Sequence, residues 1–333
     1  MSGKPVAVIT GGAGFIGSVI AARIEADDSH DIVICDWFGH EAKWRNVAKR
    51  CIADWVPPES LFDFLTAKGG AVDAIIHMGA ISSTTETDVD LIMSTNFVLS
   101  KKLWAWSAQH GKRFIYASSA ATYGSGAEGF DDESSLTGLA RLQPLNAYGW
   151  SKHLFDQFVL NEVQSSRSMP RQWVGLKFFN VYGPNEYHKG SMKSVVAQIY
   201  PKAVAGEAVH LFKSHHPDYQ HGGQMRDFVY VKDCADVVAW LLSRPDTNGL
   251  FNLGTGTART FGDLARAVFA ALNRAPNIKF VDTPKELRKQ YQYFTEASMH
   301  RLRSAGYTAA FHSLEDGIRD YVQSHLNLDD PYL

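Results

Sequence analysis

A tyrosine and a lysine lie four residues apart in the segment YGWSK, at Tyr148 and Lys152. In a helix this spacing places both side chains on one face. A phenol has a pKa of about 10 and is a poor base near pH 7, but a neighbouring ammonium stabilises the phenolate and lowers that pKa. Ser119, at the end of an apolar run, would give a substrate hydroxyl a hydrogen-bond partner. The sequence therefore predicts a proton-transfer site formed by Ser119, Tyr148 and Lys152.

A second basic group stands in the segment EYHKGSM, where Lys189 follows the apolar run FFNVYGP. An ordinary lysine in a solvated loop is one interpretation of this segment. The other is a second proton-transfer group of an enzyme that inverts a carbon centre. The segment alone does not choose between the two.

A glycine-rich loop, TGGAGFIG, lies between a predicted strand and a predicted helix. Gly11 permits a tight turn, Gly14 lets the backbone approach a pyrophosphate, and Gly17 lets the helix pack closely on the sheet. The N-terminus of the helix offers free N–H groups and a partial positive charge to phosphates. Asp36 ends the second predicted strand, where this fingerprint places an acidic residue. The sequence therefore predicts dinucleotide binding.

The choice between NAD and NADP depends on the residues around Asp36. Its carboxylate would accept hydrogen bonds from a ribose 2′-hydroxyl, which favours NAD. Lys43, Arg45 and Lys49 follow closely, and a cation there would favour a 2′-phosphate. A solvated basic turn is the alternative interpretation of these three residues. The sequence leaves both cofactors open.

Apolar runs alternate with helical patterns through the first half of the chain. Strands that are apolar throughout, separated by helices, indicate a parallel sheet with helices on both faces. The fold class predicted is α/β, a doubly wound parallel sheet of the Rossmann type with a smaller C-terminal α/β domain. Strands are predicted at 5–10, 31–36, 72–80, 113–119, 173–183, 228–233 and 250–256, and helices at 15–26, 61–69, 88–110, 147–164, 233–243, 260–273 and 313–326.

The sequence changes character after Gly183, where loops lengthen. We assign residues 1–178 to the dinucleotide-binding domain, to which the chain returns at about 226–254. Residues 179–225 and 255–333 form the predicted substrate domain.

Composition excludes several classes of protein. The 333 residues are 45% hydrophobic and carry a formal net charge of −2, with no basic run that would indicate nucleic-acid binding. Three scattered cysteines predict neither a disulfide framework nor a zinc site. Neither a signal peptide nor a membrane span is expected, and a cytoplasmic protein is the default. The histidines of the 213–225 loop lack neighbouring carboxylates or cysteines at a helical spacing, so we expect no metal site.

Several motifs together resemble a known superfamily. TGGAGFIG, HMGA, SSAATYG, YGWSK, FFNVYGP and RDFVYVKD occur in the order found in extended short-chain dehydrogenases/reductases. Dehydratases of that superfamily have an Asp-Glu pair after the serine, where this chain has Ala120 and Ala121. The segments HMGAISSTTETD, FFNVYGPNEYHKGSM and YQYFTEA more closely resemble the ADP-glyceromanno-heptose 6-epimerase family.

This resemblance implies an activity. That family uses NADP, transiently oxidises C6 of an ADP-linked heptose, and serves lipopolysaccharide inner-core synthesis. The resemblance implies that Tyr148 and Lys189 are two acid/base groups. It also implies that the protein is a homo-oligomer such as a pentamer. Pro57 and Pro58 stand where the family often has a second cationic cofactor contact, so NAD stays possible. Another nucleotide-sugar epimerase or reductase, and a non-catalytic dinucleotide-binding protein, are the alternatives.

The resemblance also implies two sets of contact residues. The cofactor set is Gly11, Gly14, Phe15, Ile16, Gly17, Asp36, Trp37, Lys43, Asp54, Met78, Gly79, Ala80, Ile81, Ser82, Asn96, Lys152, Val181 and Lys189. The set expected to meet the ADP-heptose is Ser119, Asn180, Ser191, Gln198, Phe212, Lys213, Ser214, Arg226 and Tyr291. Arg226 is the expected diphosphate ligand, because a guanidinium binds phosphate oxygens in pairs.

Overall fold

A parallel sheet forms the centre of the computed structural model, which describes residues 3–39, 42–165, 168–284, 288 and 292–333. Its strands are β1 (Val6–Thr10), β2 (Asp31–Cys35), β3 (Asp54–Val56), β4 (Val72–His77), β5 (Arg113–Ser119), β6 (Gln172–Phe178) and β10 (Gly249–Leu253). They lie in the order β10-β6-β5-β4-β1-β2-β3, and every neighbouring pair is parallel. The predicted doubly wound sheet is confirmed.

Helices cover both faces of this sheet. The described helices are α1 (Phe15–Ala26), α2 (Leu61–Lys68), α3 (Val89–Ile92), α4 (Leu99–Gln109), α5 (Leu136–Arg141), α6 (Ala147–Gln164), α7 (Val195–Ala205), α8 (Val231–Ser243), α9 (Phe261–Ala271), α10 (His300–Ser304) and α11 (Leu314–Tyr321). Successive strand side chains point to opposite faces. In β1, Ala7 and Ile9 therefore join a core with α1 and α8, whereas Val6 and Val8 join a second core with α2, α4 and α6.

Two smaller sheets flank the large one. β9 (Met225–Tyr230) pairs in parallel with β7 (Asn180–Tyr182) and antiparallel with β11 (Ala258–Thr260). β8 (Val209–Phe212) pairs in parallel with β12 (Ile278–Val281). None of these five strands belongs to the large sheet, so the chain after β6 forms two additional sheets and contributes only β10 to the large one.

The predicted strand over 173–183 is wrong as a single element. The chain leaves the large sheet after Phe178, and Asn180–Tyr182 pairs with β9 in another sheet. Residues 173–179 and Tyr182 are buried, so the apolar pattern continues past the break and cannot mark it. The strand predicted at 228–233 likewise ends early, at Tyr230, and α8 begins at Val231.

The predicted helix over 88–110 is interrupted. A π-helical turn, Met93–Val98, separates α3 from α4, and a second one, Val322–Leu326, follows α11. Such turns occur frequently at functional sites. The first of them contains Asn96, which is one of the predicted cofactor residues. No helix in the described ranges combines the length and the apolar character needed to cross a bilayer.

Candidate active site

A cavity of about 690 Å³ lies along the carboxyl edge of the large sheet. Residues at or just past the ends of β1, β2, β4, β5 and β6 line it, as expected for a ligand site of a doubly wound sheet. Its volume is in the range typical of small-molecule and cofactor sites. The predicted residues in its wall are Gly11, Gly14, Phe15, Ile16, Gly17, Asp36, Trp37, Lys43, Met78, Gly79, Ala80, Ile81, Ser82, Tyr148, Lys152 and Lys189.

The glycine-rich loop forms the part of the wall suited to phosphates. Gly11 has a φ of +65°, and a Cβ there would lie 2.6 Å from the nitrogen of Gly79. A Cβ on Gly17 would lie 2.3 Å from the Gly11 carbonyl oxygen. Gly14 precedes α1 without a side-chain cap, so the N–H groups of the first turn are available to a phosphate. The loop therefore has the shape and the polarity of a pyrophosphate cradle.

Asp36 and Lys43 form an ion pair in another part of the wall. Asp36 Oδ2 accepts the backbone N–H of Ala13 at 3.0 Å, and Oδ1 accepts Lys43 Nζ at 2.7 Å. Lys43 also donates to the carbonyl oxygen of Trp37. The indole of Trp37 is 53% exposed and lies in the cavity wall, where it offers an apolar face to a ribose or a base. Both oxygens of Asp36 are thus engaged by the protein itself.

A buried histidine fixes the loop that follows β4. Ser100 Oγ donates to a backbone carbonyl, so it accepts the Nε2–H of His77 at 2.9 Å. Nδ1 then accepts the hydroxyl of Thr10 at 2.6 Å, and that hydroxyl accepts the N–H of Gly79. Burial lowers the pKa of His77 to about 3, so the ring is neutral. The relay therefore connects α4, β4 and β1 beneath the cavity.

Asn96 holds the same loop from the other side. Its Oδ1 accepts the N–H of Ile81 at 2.8 Å, and its Nδ2 donates to the Ile81 carbonyl and to Ser151 Oγ. Asn96 is fully buried and lies behind the cavity wall. Its position therefore suits it to shaping the loop, and Ser151 connects that loop to α6.

Tyr148 and Ser119 meet beside the cavity. The side chain of Tyr148, near the start of α6, is hydrogen-bonded to that of Ser119 at the end of β5. Burial raises the pKa of Tyr148, and the bond to Ser119 offsets only part of this effect. The sequence-based expectation of a lowered pKa is wrong for the structure, because desolvation of the phenolate dominates. The phenol is therefore protonated at neutral pH.

Lys152 is a buried amine that faces the cavity. It is only 3% exposed, and within the described residues its side chain makes no hydrogen bond or ion pair. Burial lowers its pKa to about 8, and the charge of Asp156, one turn further along α6, opposes this shift. A buried ammonium is costly unless it is paired. The cavity therefore contains a donor suited to polar groups of a ligand.

Lys189 enters the cavity from the loop between β7 and α7. Its Nζ lies 5.7 Å from the centroid of the Phe15 ring. Burial lowers its pKa, in the expected direction, and the charge of Glu186 opposes the shift. Glu186 is itself buried and accepts the backbone N–H and the hydroxyl of Ser194, which fixes the loop. Lys189 and Tyr148 therefore share one cavity, although 41 positions of sequence separate them.

Other predicted residues lie outside the wall of this cavity. Asp54 starts β3, and its carboxylate accepts the N–H of Trp55. Arg226 donates to the carbonyl oxygens of Met225 and Gln292, so backbone contacts orient its guanidinium. Tyr291 lies outside the described residues. The remaining ones, which the structure places on β7, α7, β8 and their loops, are Val181, Asn180, Ser191, Gln198, Phe212, Lys213 and Ser214.

Comparison with known proteins identifies the family of this chain. A family model described as the NAD dependent epimerase/dehydratase family matches residues 7–254. The chain belongs to the NAD dependent epimerase/dehydratase family. It is 47% identical over 329 residues to an ADP-L-glycero-D-manno-heptose-6-epimerase of Nitratidesulfovibrio vulgaris, and the match covers 98% of this chain and 99% of the relative. Within the epimerase/dehydratase family, the chain therefore groups with the heptose epimerases.

Solved structures of this family share the fold. The ADP-L-glycero-D-manno-heptose-6-epimerase of Helicobacter pylori has a TM-score of 0.77 at 26% identity, covering 96% of each chain. The UDP-glucose 4-epimerase of Thermus thermophilus, solved in complex with NAD, has a TM-score of 0.71 at 25% identity. That match covers 95% of this chain and 97% of the other.

Sequence reasoning missed several residues that shape the site of this epimerase/dehydratase. Thr10, His77 and Ser100 form the buried relay, and His188 and Met192 line the cavity beside Lys189. HMGA was recognised as a motif, but His77 sits inside a predicted strand and looks like a core residue. Only its register with Thr10 in the neighbouring strand, where the two are paired, shows that it supports the glycine-rich loop.

Proposed function

We propose that this protein is an ADP-glyceromanno-heptose 6-epimerase. It interconverts ADP-D-glycero- and ADP-L-glycero-β-D-manno-heptose by transient oxidation at C6, and it supplies heptose for the lipopolysaccharide inner core. The observation that carries the proposal is one cavity that holds a glycine-rich loop, a Tyr-Lys pair and Lys189. The 47% identity to a heptose epimerase over nearly the whole chain supports the choice of substrate.

The residues of the cavity fit a nicotinamide cofactor. The glycines leave room for a pyrophosphate beside the N-terminus of α1, and Lys152 offers a buried donor to a ribose. When bound, this cofactor accepts a hydride from C6 of the heptose and returns it. The family name and the NAD complex of the Thermus epimerase support this assignment.

Tyr148 and Ser119 are proposed to handle the first proton. The minor, phenolate form of Tyr148 takes the proton of the C6 hydroxyl, and the Ser119 hydroxyl donates a hydrogen bond to the oxygen that becomes a carbonyl. The raised pKa of Tyr148 favours the phenol, so the same group is well suited to return a proton. The ammonium of Lys152 stabilises the phenolate while it exists.

Lys189 is proposed to act on the second face of the carbonyl. C6 is exocyclic, so rotation about its bond to the ring presents the other face of the carbonyl to the hydride donor. The carbonyl oxygen then points away from Tyr148. The lowered pKa of Lys189 brings its ammonium closer to the range in which it both gives and accepts a proton. Two acid/base groups in one cavity therefore account for inversion at C6 better than a single group does.

NADP is the cofactor that we propose, with Lys43 at its 2′-phosphate. Both oxygens of Asp36 already accept hydrogen bonds from the protein, which leaves this carboxylate less able to select a ribose 2′-hydroxyl. Lys43 neutralises Asp36 and is one of the residues that line the cavity. A shift of this ammonium toward a phosphate would keep it charge-paired.

The substrate domain is proposed to consist of residues 179–225 and 255–333. Arg226, directly after the first of these segments, is the proposed ligand of the ADP diphosphate, since its guanidinium is already oriented by two backbone carbonyls. We also propose that the protein acts as a homo-oligomer.

Proton NMR of ADP-D-glycero-β-D-manno-heptose incubated with the purified protein, without added reductant, tests the function. We expect the L-glycero epimer to appear and the nicotinamide absorbance at 340 nm to stay constant. An unchanged spectrum from a cofactor-loaded protein would contradict the substrate and point to another nucleotide sugar. Stoichiometric loss of added NADPH would instead indicate a reductase.

A further inference from the structure

Asn185 lies behind the candidate active site, and its side chain contacts two other segments that form it. The residue is fully buried and has a φ of +72°, a left-handed conformation that asparagine tolerates better than most residues. It belongs to the same loop as Lys189. Nothing in the proposed chemistry uses its side chain.

The amide of Asn185 makes hydrogen bonds to distant parts of the chain. Its Nδ2 donates to Ser18 Oγ at 3.0 Å and approaches the carbonyl oxygen of Asn46 at 3.4 Å. Its Oδ1 accepts the backbone N–H of Leu333 at 3.0 Å. Ser18 Oγ donates to a carbonyl of its own helix, so it is an acceptor here, and the partners fix the orientation of the amide.

Two of these partners anchor different walls of the cavity. Ser18 lies in α1, whose first turn faces the phosphate position. Asn46 follows Lys43 in a short 3₁₀ helix. Its Nδ2 donates to the carbonyl oxygen of Ala13 and lies 3.2 Å from Nδ1 of His188. The side chain of Asn185 therefore connects the phosphate-binding helix, the segment of Lys43 and the loop of Lys189.

Residues 330–333 cover this connection from outside; we call them the strap. Asp330 pairs with Arg45 at 3.2 Å and with Lys49 at 3.1 Å. Lys49 also donates to the carbonyl oxygen of Tyr332 at 2.7 Å, and the Arg45 guanidinium lies 4.5 Å from the centre of the Tyr332 ring. The strap thus binds the basic segment that follows Lys43.

The strap also contacts the loop of Lys189. The hydroxyl of Tyr187 donates to the carbonyl oxygen of Pro331 at 2.9 Å, and the rings of Tyr187 and Tyr332 meet edge to face at 5.1 Å. The same four residues therefore hold the basic segment and the Lys189 loop together, with the Asn185 amide between them.

We propose that Asn185 is a positioning residue that, together with the strap, holds Lys43 and Lys189 in place around the bound cofactor. Loss of its three hydrogen bonds lets the two loops move apart, which speeds the release of the cofactor and misaligns Lys189. This inference rests on the proposed function for the identity of the cofactor and the role of Lys189. It does not depend on which nucleotide sugar is the substrate.

The dissociation rate of NADPH, measured by stopped-flow fluorescence with excess NADP as the chase, tests the proposal in Asn185→Gly. Glycine accepts a φ of +72°, so this change removes the side chain without backbone strain. We expect release at least about fivefold faster, since one net hydrogen bond is worth about that factor. Asn273→Gly is the matched control, because Asn273 has a φ of +54° and is exposed, and within the described residues its side chain makes no hydrogen bond.

A variant that lacks residues 330–333 is the second test, and it keeps the Asn185 side chain. We expect faster release here too, and a lower kcat at saturating cofactor in both variants because Lys189 is misaligned. Equal release rates for both variants, the wild type and Asn273→Gly would overturn the proposal. If the wild type retains cofactor but leaves ADP-heptose unchanged, the proposed function fails while the release rates still decide the role of Asn185. If the wild type binds neither NADP nor NAD, both ideas fail.

Discussion

At the scale of single residues, the two proposed acid/base groups carry the clearest prediction. Tyr148→Phe and Lys189→Met should each lower kcat by about 10²–10⁴-fold, the usual contribution of a positioned acid or base. Both side chains line the cavity without being buried in a core cluster, so the folded protein should still bind cofactor. Epimerisation followed by NMR gives kcat, and fluorescence titration gives cofactor affinity. Full activity in both variants would remove the two-group mechanism.

The lowered pKa of Lys152 predicts how kcat depends on pH. Its ammonium stabilises the Tyr148 phenolate, and burial lowers the pKa of Lys152 to about 8. The charged form exists below that pKa, so kcat should fall as the pH rises through about 8. Arginine stays protonated at this pH. In Lys152→Arg the alkaline limb should therefore move up in pH, even if the maximal rate drops. If the alkaline limb of Lys152→Arg lies at the same pH as that of the wild type, the limb reports the titration of another group.

At the scale of elements, a buried charge network joins α6 to the sheet. Lys177 on β6 donates to Asp156 of α6 at 2.7 Å and to Thr122 at 2.8 Å. Asp156 also accepts the hydroxyls of Tyr116 and Ser118 on β5. Both charged residues are fully buried. The network sets the position of α6, and hence of Tyr148, relative to Ser119.

Lys177→Met should lower the free energy of unfolding by about 3–5 kcal/mol, since it leaves Asp156 as an unpaired buried charge. Adding Asp156→Asn to this variant should recover part of the loss, because it removes that charge. Lys4→Met breaks an exposed pair with Asp28 and should cost below about 1 kcal/mol. Urea denaturation measures all three variants. If Lys177→Met and Lys4→Met lower the free energy of unfolding equally, the buried network does not stabilise the packing of α6 on the sheet.

At the scale of the whole molecule, the cavity draws its walls from both halves of the chain. Thr10 to Gly17 and Lys189 lie in one site because the Lys189 loop folds back over α1. A ligand that binds only this folded arrangement stabilises it by about 2.7 kcal/mol at 100 times its Kd. With an entropy of unfolding of about 2.1 cal/mol/K per residue, this should raise Tm by about 4 °C in a chain of 333 residues.

The thermal shift also measures cofactor preference. At equal concentrations NADP should raise Tm more than NAD, because Lys43 reaches the 2′-phosphate but gains nothing from a hydroxyl. Lys43→Ala should reduce the NADP shift to the NAD level or below. A larger shift with NAD in the wild type would contradict the NADP assignment and make Asp36 the selecting residue.

The sequence by itself determined the fold class and the two local motifs. The glycine-rich loop and YGWSK act through neighbours in the chain, so their spacing alone predicted the turn, the helix and the shared face. The strands over 113–119 and the helix over 147–164 were predicted to their ends, because clear polar residues bound an apolar pattern. Local structure and local motifs can be predicted from the sequence wherever the interacting residues are within a few positions of one another.

Only the tertiary structure decided which distant residues meet. It split the run 173–183 between two sheets, at a boundary that the continuing apolar pattern of the sequence hides. It raised the pKa of Tyr148 where the sequence predicted a lower one, because desolvation depends on everything packed around the phenol. It also joined Asn185 to Ser18 and Leu333, across 167 and 148 positions. Such contacts form only when the whole chain folds, and no periodicity or spacing in the sequence encodes them.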